Sequence, residues 1–274
     1  MTDGVICDAV AGHFASYLSR ALPLNHLASI RHHLDGCDTC WSEWNRYRWD
    51  AASGHPLVAE LRRFMGPRFR PYFDSSRALQ AEWLAAAPTT AEQRREFFGS
   101  TESYIYNLVV WHASGNRPPY VEAANAHLPA GSRIIDFGAG IGQDAIDLAR
   151  QGHQVVACEI EGPSSDFLRW RLREHGLQIE VCAPQTARFS SVDTLWIIDT
   201  LDHLLDIDAV LGEVLEIVDR VICENLHSTR SGGQSFHERR SLSAVAKILS
   251  RYRLVPQPVL SNHPLMSFVR PHSA

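Results

Sequence analysis

Apolar and polar positions follow two different rhythms along this chain, one before about residue 130 and one after it. In the first part they recur at helical spacing. Val5, Ile6, Val10, Phe14, Tyr17, Leu18 and Leu22 predict a helix or a helix pair. Pro23-Leu24-Asn25 marks a turn, with Asn25 placed to cap a second helix running to about Leu34. Asp35-Gly36-Cys37 is a break, and a further helical stretch covers 38 to about 52. Residues 55–130 read as all-helical, with apolar stripes over 55–65 and 77–86 and an aromatic-dense amphipathic stretch over 101–112. Thr90-Ala91-Glu92-Gln93 is a capping box opening another helix, and 120–128 is a short helix leading into the second part.

From residue 132 the pattern alternates between short apolar runs and helical stripes. The stretch SRIIDFGAGIGQDAIDLARQGHQVVACE, residues 132–159, opens with the run Ile134-Ile135, stops at Asp136 and turns through Gly138, Gly140 and Gly142. Ala145, Ile146, Leu148 and Ala149 then fall on one helix face. After Gln151-Gly152 a second apolar run, Val155 to Cys158, is closed by Glu159. The alternation continues with a helix at 167–175, strands at 178–182 and 192–199, a helix at 210–218, a strand at 221–224 and a helix at 242–249. Runs at 254–260 and 265–269 are placed to form a closing antiparallel pair. The expected organisation is a helical module over 1–52, a helical region over 53–130 and an α/β domain over 131–274.

Strand, glycine turn, helix, strand and acid make the first half of a nucleotide-binding α/β unit. Glycines accept positive φ and let backbone approach a ligand where a Cβ would collide. The unpaired N–H groups that open the next helix favour negative charge. An acid at the end of the second strand suits a bidentate hydrogen bond to ribose hydroxyls. Dinucleotide enzymes use G-x-G-x-x-G, which would need glycine at 143, and that residue is Gln143. The D-x-G-x-G-x-G pattern found here resembles motif I of the class I S-adenosylmethionine (SAM) dependent methyltransferases, and the likeness runs through Glu159.

That resemblance implies a Rossmann-like α/β fold, a seven-stranded doubly wound sheet ending in a reversed seventh strand. It implies that Glu159 holds the ribose, that the loop Asp136, Gly138, Ala139, Gly140 and Gly142 faces the methionine part of SAM, and that Asp199 lies near its amino group. Cys182-Ala183-Pro184, after the third strand, would neighbour the adenine. Tyr104 and Tyr106, on the helix before this fold, are candidates for a lid over SAM, against the plainer reading that Ile105, Leu108, Val109 and His112 only pack.

Six cysteines divide into two groups. Cys158, Cys182 and Cys223 sit in or at the end of apolar runs, where free cysteine behaves as a small hydrophobe. Cys7, then His33-x3-Cys37-x2-Cys40, has metal-ligand spacing. The x2 spacing brings two thiolates to one ion across a tight turn, and His33 stands one helical turn before Cys37. Cys7 completes a tetrahedron from an antiparallel first helix, with His13 and His32 as alternative fourth ligands. Three sulfurs and one nitrogen suit Zn²⁺, and four protein ligands leave no open position, so such a site is structural. The spacing resembles the zinc-binding anti-sigma factor family over about 45 residues; the sigma-binding activity of that family is not carried over to a chain that also holds an enzyme-like domain.

Composition excludes several classes. Across 274 residues the net charge is -5, without a basic cluster of the kind that tracks a phosphate backbone. Arg62, Arg63, Arg68 and Arg70 read as a solvated helix face. No apolar run approaches the roughly 18 residues of a membrane span, and no signal-peptide core stands at the N-terminus, so a cytosolic protein without a nucleic-acid or membrane partner is expected.

Methyl transfer from a sulfonium is an in-line displacement, accelerated mainly by holding the nucleophile near the methyl carbon. A base matters only where the acceptor must lose a proton, and His203, His227 and His112 are the candidates, His203 first because it follows the fourth strand. Asp202 and Asp206 are alternatively caps for the next helix. The expected function is methylation of a small molecule, with the helical region forming a substrate pocket or a homodimer interface. Two rivals stand beside it: a SAM-binding regulator whose zinc module binds a protein, and an NAD-dependent oxidoreductase, which Gln143 disfavours.

Overall fold

The structure is a computed structural model, and it describes residues 3–187, 189, 192–224, 237–238, 241–257 and 265–271. Among these the chain divides into two compact units, one from 3–82 and 102–118, the other from 83–101, 119–224 and the described residues beyond 236.

In the first unit the expected helix pair is α1 (Asp3–Ala11) and α2 (Phe14–Leu18), followed by α3 (Leu24–Gly36) and α4 (Asp38–Ala52). Asn25 does not cap α3. The helix starts one residue earlier, behind Pro23, whose φ of -55° suits a helix entry, and Asn25 lies inside the first turn. Phe14, Leu18, Leu34, Trp41 and Trp44 form the core that these four helices share. Next come α5 (Pro56–Met65), α6 (Ser75–Ala86), α7 (Ala91–Phe98), which belongs to the second unit, and α8 (Ser103–Ala113).

Tyr106 is no lid. It is fully buried among Trp49, Phe69 and Phe73, and its hydroxyl accepts from Arg70 N and donates to Arg68 O. The aromatic density of α8 is therefore core packing at this position. The exposed arginines are also more than a solvated face: Arg62 stacks on Phe69, and Arg70 lies 3.5 Å over the ring of Phe73.

The second unit is a seven-stranded sheet: β1 (Arg133–Phe137), β2 (Gln154–Cys158), β3 (Glu180–Cys182), β4 (Thr194–Ile197), β5 (Arg220–Glu224), β6 (Val255–Gln257) and β7 (Leu265–Val269). The strand order is 3-2-1-4-5-7-6, with the first five parallel and β7 antiparallel to β5 and β6. This is the doubly wound sheet with a reversed last strand that the resemblance implies. β1, β4 and β5 are buried on both faces, which is why they read as continuous apolar runs rather than alternating ones.

Helices α9 (Tyr120–Asn125), α10 (Gln143–Arg150), α11 (Pro163–His175), α12 (Ile207–Ile217) and α13 (Leu242–Arg251) complete the unit. Against one sheet face, Leu211, Val214, Val245 and Leu249 of α12 and α13 meet Ile135, Leu195 and Ile197. On the other, Ala145 and Ile146 of α10 pack with Leu168 and Leu172 of α11. Asp206 caps α12 by accepting from Ala209 N at 3.0 Å, so Asp202 is left for another role. The predicted capping box opens α7: Thr90 Oγ1 accepts from Gln93 N at 3.2 Å, and Gln93 Oε1 accepts from Thr90 N at 3.1 Å.

Where α7 ends, Gly99 meets the loop after β2. Gly162 has φ +147°, and a Cβ there would stand 2.0 Å from Gly99 O. Both the conformation and the space exclude a side chain. Gly162→Ala is expected to destabilise the protein by about 3 kcal/mol and lower the unfolding midpoint by roughly 5–10 °C. A thermal melt superposing on wild type would contradict this close approach.

Candidate functional site

The open end of the sheet is built around the glycine turn. Gly138 N and Ala139 N both donate to Cys158 O, at 2.8 and 3.1 Å, which fastens the turn to the end of β2. Gly138, Gly140 and Gly142 have φ of 78°, 56° and 73°. A Cβ on Gly138 would lie 2.1 Å from Thr200 Oγ1, and one on Gly142 would lie 2.0 Å from Leu168 Cδ1. Glycine is required here by conformation and by packing together.

Behind the turn, the buried Arg171 of α11 donates to Ile141 O and to Gln143 Oε1, both at 2.7 Å. Trp196 Nε1 of β4 donates to Asp144 Oδ2 at 2.9 Å and sets the first turn of α10. Sequence reasoning missed Arg171. Its signal was an arginine between Leu168 and Leu172, on the face where a solvated residue does not belong.

Glu159 faces this turn. Its Oε2 accepts from Gly140 N at 2.5 Å and its Oε1 from Ile160 N at 2.8 Å. The residue is only 8% exposed. Burial pushes its carboxyl up to about 7, and the two backbone donors only partly offset that. Each carboxylate oxygen keeps a further lone-pair direction for another donor. Asp136, at the end of β1, is buried as well.

At the end of β4 the chain turns through Asp199, a non-glycine residue with φ +54°. Aspartate is among the few side chains that adopt this conformation readily, because its short carboxylate can bond locally. Asp202 is buried, and His237 Nε2 lies 4.0 Å from Asp202 Oδ2. The rings of His203 and His237 are 4.6 Å apart, and Phe98 of α7 sets its edge on His203 at 5.3 Å. Asp199 and His203 were anticipated from their place after the fourth strand. His237 was not, because no periodic segment frames it. His227 lies outside the described residues. Tyr104 and His112 belong to α8 of the first unit, and both are half-buried.

In the first unit Cys7, His33, Cys37 and Cys40 converge, while His13 and His32 are exposed. Cys7 Sγ is 3.8 Å from Cys37 Sγ and 3.7 Å from His33 Nε2, and His33 Nε2 is 3.3 Å from Cys40 Sγ. A tetrahedral zinc with Zn–S near 2.3 Å and Zn–N near 2.0 Å has edges of about 3.8 and 3.6 Å. The donor set and its spacing fit. Cys37 precedes the first turn of α4, where the backbone N–H groups of Cys40 and Thr39 lower its pKa. Cys40 is pushed up to about 12 by burial and by the neighbouring thiols of Cys7 and Cys37.

Comparison with known proteins agrees on the second unit. Residues 135–220 match a family model described as "Methyltransferase domain". The chain is similar to the tRNA 5-carboxymethoxyuridine methyltransferase of Escherichia coli strain K12, at 27% identity over 96 residues, 33% of this chain and 34% of that protein. The match thus spans about a third of the length of the curated relative. Among solved structures, it is similar to the 1,6-didemethyltoxoflavin-N1-methyltransferase of Burkholderia thailandensis, with TM-score 0.49 and 20% identity, covering 70% of this chain and 91% of that one. It is also similar to the magnesium protoporphyrin IX methyltransferase of Synechocystis PCC 6803, with TM-score 0.46 and 17% identity, covering 74% and 98%.

Proposed function

We propose that this protein transfers the methyl group of SAM to a small-molecule acceptor, and that a structural zinc ion holds its N-terminal helices. The observation that carries the first part is the buried Glu159 carboxylate at the end of β2, hydrogen-bonded across to the amide of Gly140 in the glycine turn. An acceptor-only group at that point takes the two ribose hydroxyls of a nucleoside. The turn brings bare backbone to where a sulfonium amino acid would lie. Asp136 and Asp199 offer carboxylates for its ammonium group, and the residues after β3, Cys182-Ala183-Pro184, would border the adenine. The matched methyltransferase segment, residues 135–220, spans β1 to the start of β5 and includes every one of these groups.

The transfer needs little covalent chemistry from the protein. The acceptor's lone pair attacks the methyl carbon, the C–S bond breaks, and the electron pair leaves on the neutral thioether of S-adenosylhomocysteine (SAH). Positioning supplies most of the acceleration. His203, which lies beside Asp202 and His237 after β4, is the first candidate to meet the acceptor. His112 and His227 remain as further candidates for a base, and Tyr104 for a lid over SAM. The similar tRNA enzyme raises a polynucleotide acceptor as the second reading, which the net charge of -5 disfavours. Among the described residues no helix is long and apolar enough to cross a membrane.

In the first unit Cys7, His33, Cys37 and Cys40 would hold the zinc, which there supplies folding energy and no open coordination position. Calorimetric titration with SAH, SAM and NADH tests the cofactor. SAH and SAM should bind at micromolar concentration and NADH should not. Binding of NADH alone would overturn the proposal.

A further inference from the structure

Asp199, Asp202, His203 and His237 each bring one ligand atom to a common point, all within 4.8 Å of one another. We infer that these four side chains form a second metal site, for one divalent first-row ion bound through nitrogen and oxygen, such as Mn²⁺, Fe²⁺ or Zn²⁺, with Asp199 giving the ion one carboxylate oxygen and keeping the other for the ammonium group of SAM. Resting on the methyltransferase reading, the inference adds that the acceptor binds the ion through an oxygen.

Three observations carry it. First, the donor set is two imidazoles and two carboxylates, which suits these ions and contrasts with the sulfur-rich set of the first unit. Second, the groups are held in place. Asp202 is buried, Glu238 N donates to Asp202 O at 2.5 Å, and Arg94 pairs with Glu238 at 2.8 Å. Together they tie His237 beside Asp202, while the edge of Phe98 fixes the ring of His203. Third, the left-handed conformation of Asp199 turns the chain back at this point, and its neighbour Thr200 packs against Gly138 of the glycine turn. The cluster therefore adjoins the loop proposed to face the methionine part of SAM. Ligand atoms around an ion with bonds near 2.1 Å stand about 3.0–4.2 Å apart, so side-chain shifts of about an ångström close the set.

Four protein ligands leave room for a fifth or sixth in the coordination spheres of Mn²⁺ and Fe²⁺, and Zn²⁺ also reaches five. An acceptor hydroxyl bound there loses its proton to water more readily. Its oxygen then forms the O–CH₃ bond as the C–S bond of SAM breaks, and the electron pair departs on sulfur. Metal binding would thus select oxygen acceptors over amines.

The test uses the full-length protein carrying zinc in its thiolate site, titrated with Co²⁺ by absorbance and with Mn²⁺ by electron paramagnetic resonance. One further equivalent of Co²⁺ should bind with d–d bands and without sulfur-to-metal charge transfer. Asp202→Asn and His237→Gln should each weaken that binding by tenfold or more while retaining the wild-type melting profile and SAH affinity. Cys37→Ser should leave it intact. No uptake beyond the thiolate site by wild type would overturn the inference, as would wild-type Co²⁺ affinity in both variants. Since SAH is titrated on the same samples, Co²⁺ uptake without SAH binding would remove the methyltransferase reading and keep the metal site, and the reverse result would do the opposite.

Discussion

Replacing Cys37 by serine should remove most of the zinc from this protein and unfold its first helices. Cys37 sits between α3 and α4, in contact with Cys7 of α1, so one side chain joins three of the four helices. The core they share is small, built on residues such as Phe14, Leu34, Trp41 and Trp44. α4 is also anchored on α8 through Trp49 and Tyr106, but α1, α2 and α3 rest on this small core, which is marginal without a further tie. Zinc binding by comparable small modules is worth roughly 10–16 kcal/mol, as large as the whole net stability of a typical domain. Losing one of three thiolates weakens the site by orders of magnitude.

Elemental analysis should therefore show about one zinc per wild-type chain and a small fraction of that in Cys37→Ser. Limited proteolysis should cut the variant within 3–52. His32→Ala is the control: His32 is exposed and outside the cluster, so its variant should keep the metal. SAH binding, which rests on the second unit, should survive in both. Full zinc content in Cys37→Ser would sink the assignment.

Both candidate sites were legible where their residues are local in sequence. The x2 and x3 spacings of His33, Cys37 and Cys40 are fixed by helix and turn geometry, so the amino-acid sequence alone is enough to bring these three together. Cys7 was placed by supposing an antiparallel first helix, and α1 does bring it there. The glycine turn and Glu159 were legible for the same reason, since strand, turn, helix and strand follow each other without interruption. What stayed hidden came from far along the chain. His237 meets Asp202 from a segment with no periodicity, Arg171 reaches the back of the turn from the next helix, and Gly162 is needed because of Gly99. Tyr106 shows the opposite failure. An aromatic helix has one pattern whether its rings pack inward or close over a ligand, and only burial separates the two.

The affinity for SAH should rise with pH, and Glu159→Gln should remove that rise. In the folded, ligand-free protein burial holds the Glu159 carboxyl up to about 7, against an ordinary value near 4.5. Ribose hydroxyls donate to the ionised form, so below pH 7 binding must first expel a proton. If only the ionised form binds, affinity should climb roughly 30-fold from pH 5.5 to pH 8 and level off above it. Stability of the ligand-free protein should run the other way. A carboxyl whose folded pKa is raised takes up protons more readily than the unfolded chain between pH 4.5 and 7. Its contribution is fully present below 4.5 and lost as pH rises to 7, at most about 3 kcal/mol. Glu159→Gln, neutral at every pH, should therefore be more stable than wild type at pH 8 without ligand. Its SAH affinity should be weaker there, by tenfold or more, and flat with pH. Calorimetric titrations at pH 5.5, 7 and 8, with melts at the same values, measure both trends. A flat wild-type affinity would show that the carboxylate is not what receives the ribose, whereas the two opposed slopes together would identify Glu159 as the group that trades intrinsic stability for the cofactor.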